Sequence, residues 1–289
     1  MSLNDKNLDR LINEALAIEA EEAREAGALG FMARILVQAT MPHKKTEKAV
    51  FQRQNGDFNL SITSHPKIGL PYGTIPRLLL AWLTTEAVRT GERELILGES
   101  MSEFMRQLGL VPTGGRWGSI IRLKEQTKRL FMANVQCFVD NSEQFSGKNL
   151  RVADGYHLWW EPISLDQKAL WQSTVLLDQA FFEEVIDRPV PIDMRALQAI
   201  KQSPMALDIY AWLTYRMSYL KHHTEIPWEA LQMQFGADYA HDGQGKRDFK
   251  KNFLKHLKKV HVVYPDANVS EGGYGLVLKP SKTHVKRIK

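Results

Sequence analysis

The sequence predicts an α+β, mainly helical fold in which one structural unit occurs twice after an N-terminal helical arm. Two long segments carry apolar residues at helical spacing, and each is followed by a short helix, a further helix and strand-like runs. The tetrapeptide Ala-Trp-Leu-Thr at residues 81–84 recurs at 211–214. With 289 residues, 44% of them hydrophobic and 25% charged, the chain is long enough for about two domains and too apolar for wholesale disorder.

The first 55 residues are predicted to form the N-terminal helical arm. Its apolar residues recur near helical spacing up to an acidic stretch at residues 19–25. They are Leu3, Leu8, Leu11, Ile12, Leu16 and Ile18. A loosely packed arm and an oligomerisation helix both fit this pattern. Glycines and prolines then indicate turns and short strands over residues 53–75.

Residues 56–185 are predicted to form the first domain. Pro76 suits the first turn of a helix that runs to about residue 90. A short strand at 94–97 precedes a helix that Ser100 caps and Gly109 ends. A third helix is expected from about residue 115 to 130. Two strand-like runs close the domain, at 131–139 and 156–160, with a polar loop between them.

Residues 186–289 are predicted to form the second domain by repeating this order. Ser203 and Pro204 open a long helix, and a short helix after Pro227 ends at Gly236. A basic helix is expected over 246–259, followed by strands at 261–264 and 274–278. Matching positions in the two domains are offset by 127 to 130 residues. Each domain thus reads as a helix-turn-helix followed by a β-hairpin, which is the layout of a winged helix.

The basic helix is amphipathic in an unusual way. Residues 240–289 hold twelve basic and four acidic side chains, a net charge of +8, whereas the whole chain carries only +5. On a helical wheel Phe249, Phe253, Leu257 and Val260 share one side, and Arg247, Lys251, Lys255 and Lys258 share the other. Lys246, Lys250 and Lys259 complete the candidate DNA contacts of this helix.

An α-helix fits the major groove of B-DNA, and lysine or arginine side chains there neutralise phosphates. Arg247 lies near the amino end of the helix, where contacts with base edges are usual. A solvated basic surface without a partner explains the same charge equally well. In the first domain, Arg116 and Arg122 are candidate secondary DNA contacts, and a structural surface or a dimer contact explains that helix equally well.

Several classes of protein are excluded by composition. A single cysteine, Cys137, rules out a disulfide framework, a four-thiolate zinc site and a thiolate cluster site within one chain, and it favours a reducing cytoplasm. No apolar run reaches the roughly 18 residues of a membrane span. Phosphate-binding loops, metal motifs and a nucleophile with its base are also missing. We therefore expect a cytoplasmic protein that is not an enzyme and holds no cofactor or metal.

Motifs between about residues 65 and 280 resemble plasmid RepA-type replication initiators and, more distantly, TrfA-type initiators. The stretches that carry the resemblance are Gly69–Gly73, Pro76–Trp82, Glu103–Leu110, Thr113–Gly118, Phe182–Glu184, Ala211–Arg216, Ile226–Leu231 and Phe235–Gly236.

The resemblance implies a bacterial tandem winged-helix protein that binds direct repeats in double-stranded plasmid origin DNA. It also implies opening of the adjacent DNA, recruitment of the host initiator and the replicative helicase, and a homodimer in equilibrium with the monomer that represses its own promoter. The second domain would be the main DNA reader, and the first would mediate dimerisation. A winged-helix transcriptional regulator without an initiation role remains the alternative. A rolling-circle nickase would need paired metal-binding histidines and a strand-transferring tyrosine, and neither pattern is visible.

Overall fold

The computed structural model describes residues 3–98, 100–116, 118–158, 173–236 and 239–286. Its helices are α1 (Leu3–Ala20), α2 (Arg34–Gln38), α3 (Thr74–Thr90), α4 (Met101–Gln107), α5 (Ser119–Phe131), α6 (Gln179–Asp187), α7 (Met194–Ala199), α8 (Pro204–Met217), α9 (Trp228–Phe235) and α10 (Gly243–Val263). Its strands are β1 (Leu29–Met32), β2 (Val50–Asn55), β3 (Phe58–Thr63), β4 (Glu94–Ile96), β5 (Asn134–Asp140), β6 (Phe145–Arg151), β7 (Ala153–His157), β8 (Thr174–Leu177), β9 (Val190–Asp193), β10 (Thr224–Pro227), β11 (Val269–Glu271) and β12 (Gly275–Leu278). These helices and small sheets confirm the predicted α+β, mainly helical class.

The chain divides into two compact units. Unit 1 consists of Met1–Thr40, Arg53–Asn59 and Val190–Lys289, and unit 2 consists of Met41–Gln52 and Leu60–Pro189. The N-terminal helix α1 is part of unit 1, where it contacts α7 and α10. Among the side chains of α1 that the structure describes, Leu11 and Ile18 are buried there.

Unit 1 contains the basic helix and a small sheet. The elements follow one another as α8, β10, α9, α10, β11 and β12, and the strands pair antiparallel in the spatial order β10-β12-β11. Helix α8 begins as predicted, because the Ser203 side chain accepts a hydrogen bond from the Ala206 amide and Pro204 occupies the first turn. A separate antiparallel pair joins β1 to β9.

Unit 2 repeats this order in its helices and in one of its sheets. Helix α3 leads to β4, α4 and α5, and β4 pairs in the order β4-β8-β7. The Ser100 side chain caps α4 by accepting from the Glu103 amide, as predicted. An additional hairpin, β5–β6, stands between α5 and β7 and continues the four-stranded order β2-β3-β5-β6.

The recurring Ala-Trp-Leu-Thr segments pack alike in the two units. Trp82 meets Phe104 edge to face at 5.1 Å between ring centroids, and Trp212 meets Phe235 in the same manner at 5.4 Å. Both tryptophans are buried. The tetrapeptide therefore repeats because each long helix needs the same aromatic anchor beneath the short helix that follows it.

One strand and one loop assigned from the sequence are wrong. Residues 261–263 continue α10 instead of starting a strand, because Val260, Val263 and Tyr264 are all buried at helical spacing. Part of the predicted polar loop is strand β6, which pairs with β5. Tyr156 and His157 belong to β7, which pairs with β8. Trp159 and Trp160 themselves lie outside the described residues.

Candidate nucleic-acid interface

The apolar side of α10 is fixed in the core of unit 1. Phe249, Phe253, Leu257 and Val260 are all buried, as the helical wheel predicted. The Phe253 ring contacts the rings of Phe235 and Trp228 at centroid distances of 5.4 and 6.0 Å. Burying an aromatic ring contributes on the order of 2–3 kcal/mol. This packing prevents rotation of the helix about its axis and so determines which side faces solvent.

The amino end of α10 is set by a cap and a glycine. Asp242 accepts a hydrogen bond from the Gly245 amide at 2.7 Å, and a carboxylate at this end complements the helix dipole. Gly245 is buried, and a Cβ atom at this position would stand 2.0 Å from the Ala240 carbonyl oxygen. The helix therefore begins at Gly243, three residues before the predicted start, because the Gly-Gln-Gly segment is its first turn.

Four basic side chains point to solvent on the opposite side of α10. We call Arg247, Lys251, Lys255 and Lys258 the cationic ridge. All four residues are exposed. At 1.5 Å per residue the ridge extends about 16 Å, which is comparable with the roughly 12 Å width of the B-DNA major groove.

The ridge is largely free of carboxylates. Within the ranges that the structure describes, Lys251, Lys255 and Lys258 form no ion pair. Arg247 donates to the Gln244 side-chain oxygen at 2.8 Å. The Gln244 amide nitrogen in turn donates to the Asp248 carboxylate at 3.0 Å. In these contacts Asp248 is connected to Arg247 only through a neutral amide. The positive charge of the ridge is therefore directed at solvent.

Two of the other predicted contacts are engaged inside unit 1. Lys246 forms an ion pair with Glu229, and this hydrogen bond lowers the pKa of the Glu229 carboxyl. Lys250 pairs with Glu271 at 2.6 Å and stands 5.0 Å from the centre of the Trp228 ring. Wheel geometry puts both lysines at the edge of the ridge, next to α9 and the β11–β12 hairpin. Sequence reasoning missed these partners because they come from elements 17 to 21 residues away.

Lys259 lies on the other edge of α10. It is only partly exposed and borders a small cavity together with Arg10 and Leu11 of α1. On the helical wheel Lys259 stands about 100° from Lys258. It lies beside helix α1 and is therefore not part of the ridge. The side chain is thus placed for contacts within unit 1.

The corresponding helix in unit 2 has a different surface. Arg116 lies in the loop before α5 and Arg122 on the helix, and both are exposed. Arg129 pairs with Glu125 at 2.7 Å and donates to the Leu70 carbonyl oxygen, so it is a structural residue. The exposed apolar residues of α5 and its end are Ile121 and Met132. This surface mixes charge with apolar groups and has no continuous cationic row.

Several residues of the plasmid-initiator motifs build the core. Arg77 is 2% exposed and donates to three carbonyl oxygens, those of Met41, Pro42 and Gly73. Its guanidinium thereby satisfies backbone groups that would otherwise be buried without partners. Sequence reasoning missed this role, because a basic residue near the start of a helix is usually exposed. These motif residues thus specify packing, and the cationic ridge on α10 lies outside the motifs.

The architecture first defines a class: two-unit α+β proteins with the fold of domains 2 and 3 of RctB. A crystal structure of selenomethionine derivatives of these domains has a TM-score of 0.56 and 14% identity, covering 87% of this chain and 97% of that chain. A second crystal structure, of RctB domains 2–3, has a TM-score of 0.50 and 13% identity, covering 85% and 96%. At such identities the likeness shows the fold alone.

The family follows from the sequence. Residues 70–230, more than half of the chain, match the family described as plasmid encoded RepA protein. This protein therefore belongs to the plasmid-encoded RepA family of replication proteins, and the predicted RepA resemblance is confirmed. No curated protein sequence matches the chain.

The described ranges contain neither a candidate membrane span nor a candidate metal cluster. No helix there has both the length and the apolar character that crossing a bilayer requires. No three histidine, cysteine or acidic side chains of those ranges come together in a way that could hold a metal ion. Cys137 is buried in β5, and burial raises the pKa of its thiol.

Proposed function

We propose that this protein initiates plasmid replication by binding direct repeats in the double-stranded origin DNA, with α10 in the major groove. The observation that carries the proposal is the cationic ridge, four exposed basic residues in a row on a helix whose other side is fixed in the core. Membership in the plasmid-encoded RepA family supports the replication role. In this proposal the protein opens the adjacent DNA and recruits the host initiator and replicative helicase without catalysing a reaction itself.

We further propose that each repeated segment is a winged helix. In unit 1 the order α9, α10 and the β11–β12 hairpin, with β10 as third strand, supports this assignment. In unit 2 the order α4, α5 and β7–β8, with β4 as third strand, supports it equally. The inserted β5–β6 hairpin distinguishes the first winged helix from the second.

Dimerisation through the first winged helix belongs to the same proposal. Ile96 on β4 is 68% exposed and Leu176 on β8 is 38% exposed. Glu94 pairs with Leu176 in the β4–β8 register, so the side chains of Ile96 and Leu176 share one face of the sheet. Exposed apolar neighbours of this kind are typical of interaction surfaces. A dimer that represses its own promoter would use such a surface and release it when monomers bind the origin.

The test combines footprinting with replication in trans. The full chain should protect direct repeats on its own plasmid, and it should support replication of a second plasmid that carries only the origin. The logarithm of the affinity should fall with the logarithm of the salt concentration with a slope of about −3 to −4 if the four ridge cations each neutralise one phosphate. A flat salt dependence would contradict binding by the ridge.

Repeat binding without replication in trans would instead favour a winged-helix transcriptional regulator. In that outcome the DNA-binding part of the proposal stands and the initiation part is wrong. Nicking of supercoiled origin DNA with Mg²⁺ would contradict the non-enzymatic role.

A further inference from the structure

The tip of the β11–β12 hairpin differs chemically from the cationic ridge. Residues 264–278 contain no lysine or arginine, and Glu271 is paired with Lys250. The prominent side chain of the tip is Tyr274, which is 86% exposed, more than any other large hydrophobic residue that the structure describes. The apolar surface of so exposed a ring stays in contact with water until a partner covers it.

The backbone that carries Tyr274 is held in place. One carboxylate oxygen of Glu225 accepts hydrogen bonds from the Tyr274 and Gly275 amides, both at 2.9 Å. The Gly272 amide closes the turn by donating to the Gly275 carbonyl oxygen at 2.9 Å. A Cβ atom on Gly275 would stand 1.9 Å from the Ile226 carbonyl oxygen, so the turn lies directly against β10. The ring is thus presented from a rigid support.

The tip is joined by direct contacts to Trp228 and to Lys250, which lies at the edge of the ridge. The Tyr274 carbonyl oxygen accepts from the Trp228 amide at 3.2 Å. The Trp228 ring lies 5.0 Å from Lys250 Nζ, and Lys250 is bonded to Glu271 of the same hairpin. Lys250 is next to Lys251 of the ridge in the chain. The ring and the ridge therefore belong to one connected surface of unit 1.

We propose that Tyr274 is a second, uncharged contact to the duplex that α10 binds. Its ring packs against deoxyribose and base edges in the groove beside the one that the helix occupies. The proposal rests on the proposed function, because the duplex is the partner. Since an aromatic ring neutralises no phosphate, this contact releases no counterion and its contribution does not depend on salt. The ridge lysines, by contrast, contribute through phosphates and lose their effect as salt rises.

The experiment measures how salt changes the affinity of the full chain for a repeat duplex from its own plasmid origin. Fluorescence anisotropy between about 50 and about 200 mM salt gives both the dissociation constant and its salt slope. We expect Tyr274→Ala to bind about tenfold more weakly at every salt concentration, with the wild-type slope, because an aromatic contact of ordinary size is lost. Lys251→Ala should instead reduce the slope by about one.

Matched variants separate the ring from the fold of the hairpin. Tyr274→Phe should bind within about twofold of wild type, because it keeps the ring. Ser270→Ala, an exposed change on β11, should also leave binding unchanged. Circular dichroism and thermal unfolding confirm that each variant is folded before its affinity is compared.

The outcomes distinguish the two proposals. If the wild-type chain does not bind the repeat, the proposed function itself is wrong. If the wild type binds and Tyr274→Ala binds equally well, the tyrosine contact is wrong while the ridge stands. A flatter salt slope for Tyr274→Ala would also overturn the uncharged contact.

Discussion

Helices α5 and α10 occupy the same place in two similar arrangements but present different surfaces. Each follows a long helix with a buried tryptophan, a short strand and a short helix. Yet α10 presents the four-residue cationic ridge, whereas α5 pairs Arg129 with Glu125 and exposes Ile121. Shared packing therefore constrains the inner face of such a helix and leaves the outer face free to acquire a separate role.

The largest expected effect tests whether the two cores are equally important. Phe253 and Phe104 are buried aromatic anchors of their respective units, so replacing either by alanine should cost about 3–5 kcal/mol in the free energy of unfolding. Urea unfolding followed by tryptophan fluorescence measures both variants. A loss below about 1 kcal/mol for only one of them would show that the two cores are not energetically alike.

The next effect concerns the two outer faces. Arg247→Ala combined with Lys251→Ala should abolish repeat-specific retention in a gel shift, a loss of at least about a hundredfold, while circular dichroism stays native. The matched double variant on α5, Arg122→Ala with Lys128→Ala, removes two exposed cations and should cost less than about tenfold. Retention at wild-type affinity by the α10 variant would rule out the ridge as the DNA contact.

A smaller effect separates two glycines that end the short helices. Gly236 follows α9 with a φ of −122°, and a Cβ atom there would stand 2.5 Å from the buried Phe249 ring. Gly109 follows α4 with a φ of 69°, in the left-handed region. Gly236→Ala should therefore cost about 1–3 kcal/mol by overpacking, and Gly109→Ala about 1 kcal/mol by backbone strain.

Asparagine distinguishes these two causes. Gly109→Asn should recover most of the loss, because asparagine tolerates the left-handed conformation, whereas Gly236→Asn should be worse than Gly236→Ala. Gly273→Ala is the control, since nothing lies within 4 Å of its added Cβ atom. Equal losses at Gly236 and Gly273 in thermal unfolding would show that the close approach to Phe249 has no energetic weight.

The smallest effect is a pH dependence that belongs to unit 1. His284 shares a hydrogen bond with the buried Tyr210 hydroxyl at 2.7 Å, and burial lowers the pKa of this imidazole. Asp193 opposes this shift and Arg195 adds to it. The unfolded chain then takes up the proton at a higher pH than the folded chain does, so stability should fall as the pH drops below about 6.5. His284→Gln should flatten this part of the stability profile measured by urea unfolding.

The sequence predicted most helices because their signals are local. Ser100, Ser203 and Pro204 act as caps or first-turn residues, and each begins its helix as expected. The wheel of α10 correctly separated buried Phe249 and Phe253 from the exposed ridge. Periodicity and capping are read within one segment, so no knowledge of the rest of the fold was needed.

The failures arise where distant partners decide the structure. The run His261–Tyr264 is rich in β-branched residues and reads as a strand, but packing of Val260 and Val263 extends the helix. Strand β6 is polar and exposed at nearly every position, so only its pairing with β5 defines it. The ion pairs of Lys246 and Lys250 likewise depend on residues from other elements.

Unit 1 is assembled from three separate stretches of chain, and this constrains the order in which the protein can fold during synthesis. Strand β1 has its partner β9 only after residue 193 has left the ribosome, and Arg53 donates to the Phe235 carbonyl oxygen 182 residues further on. Unit 2 draws nearly all of its residues from one continuous stretch. It can therefore fold while translation continues, whereas the basic helix acquires its framework only when the last hundred residues emerge.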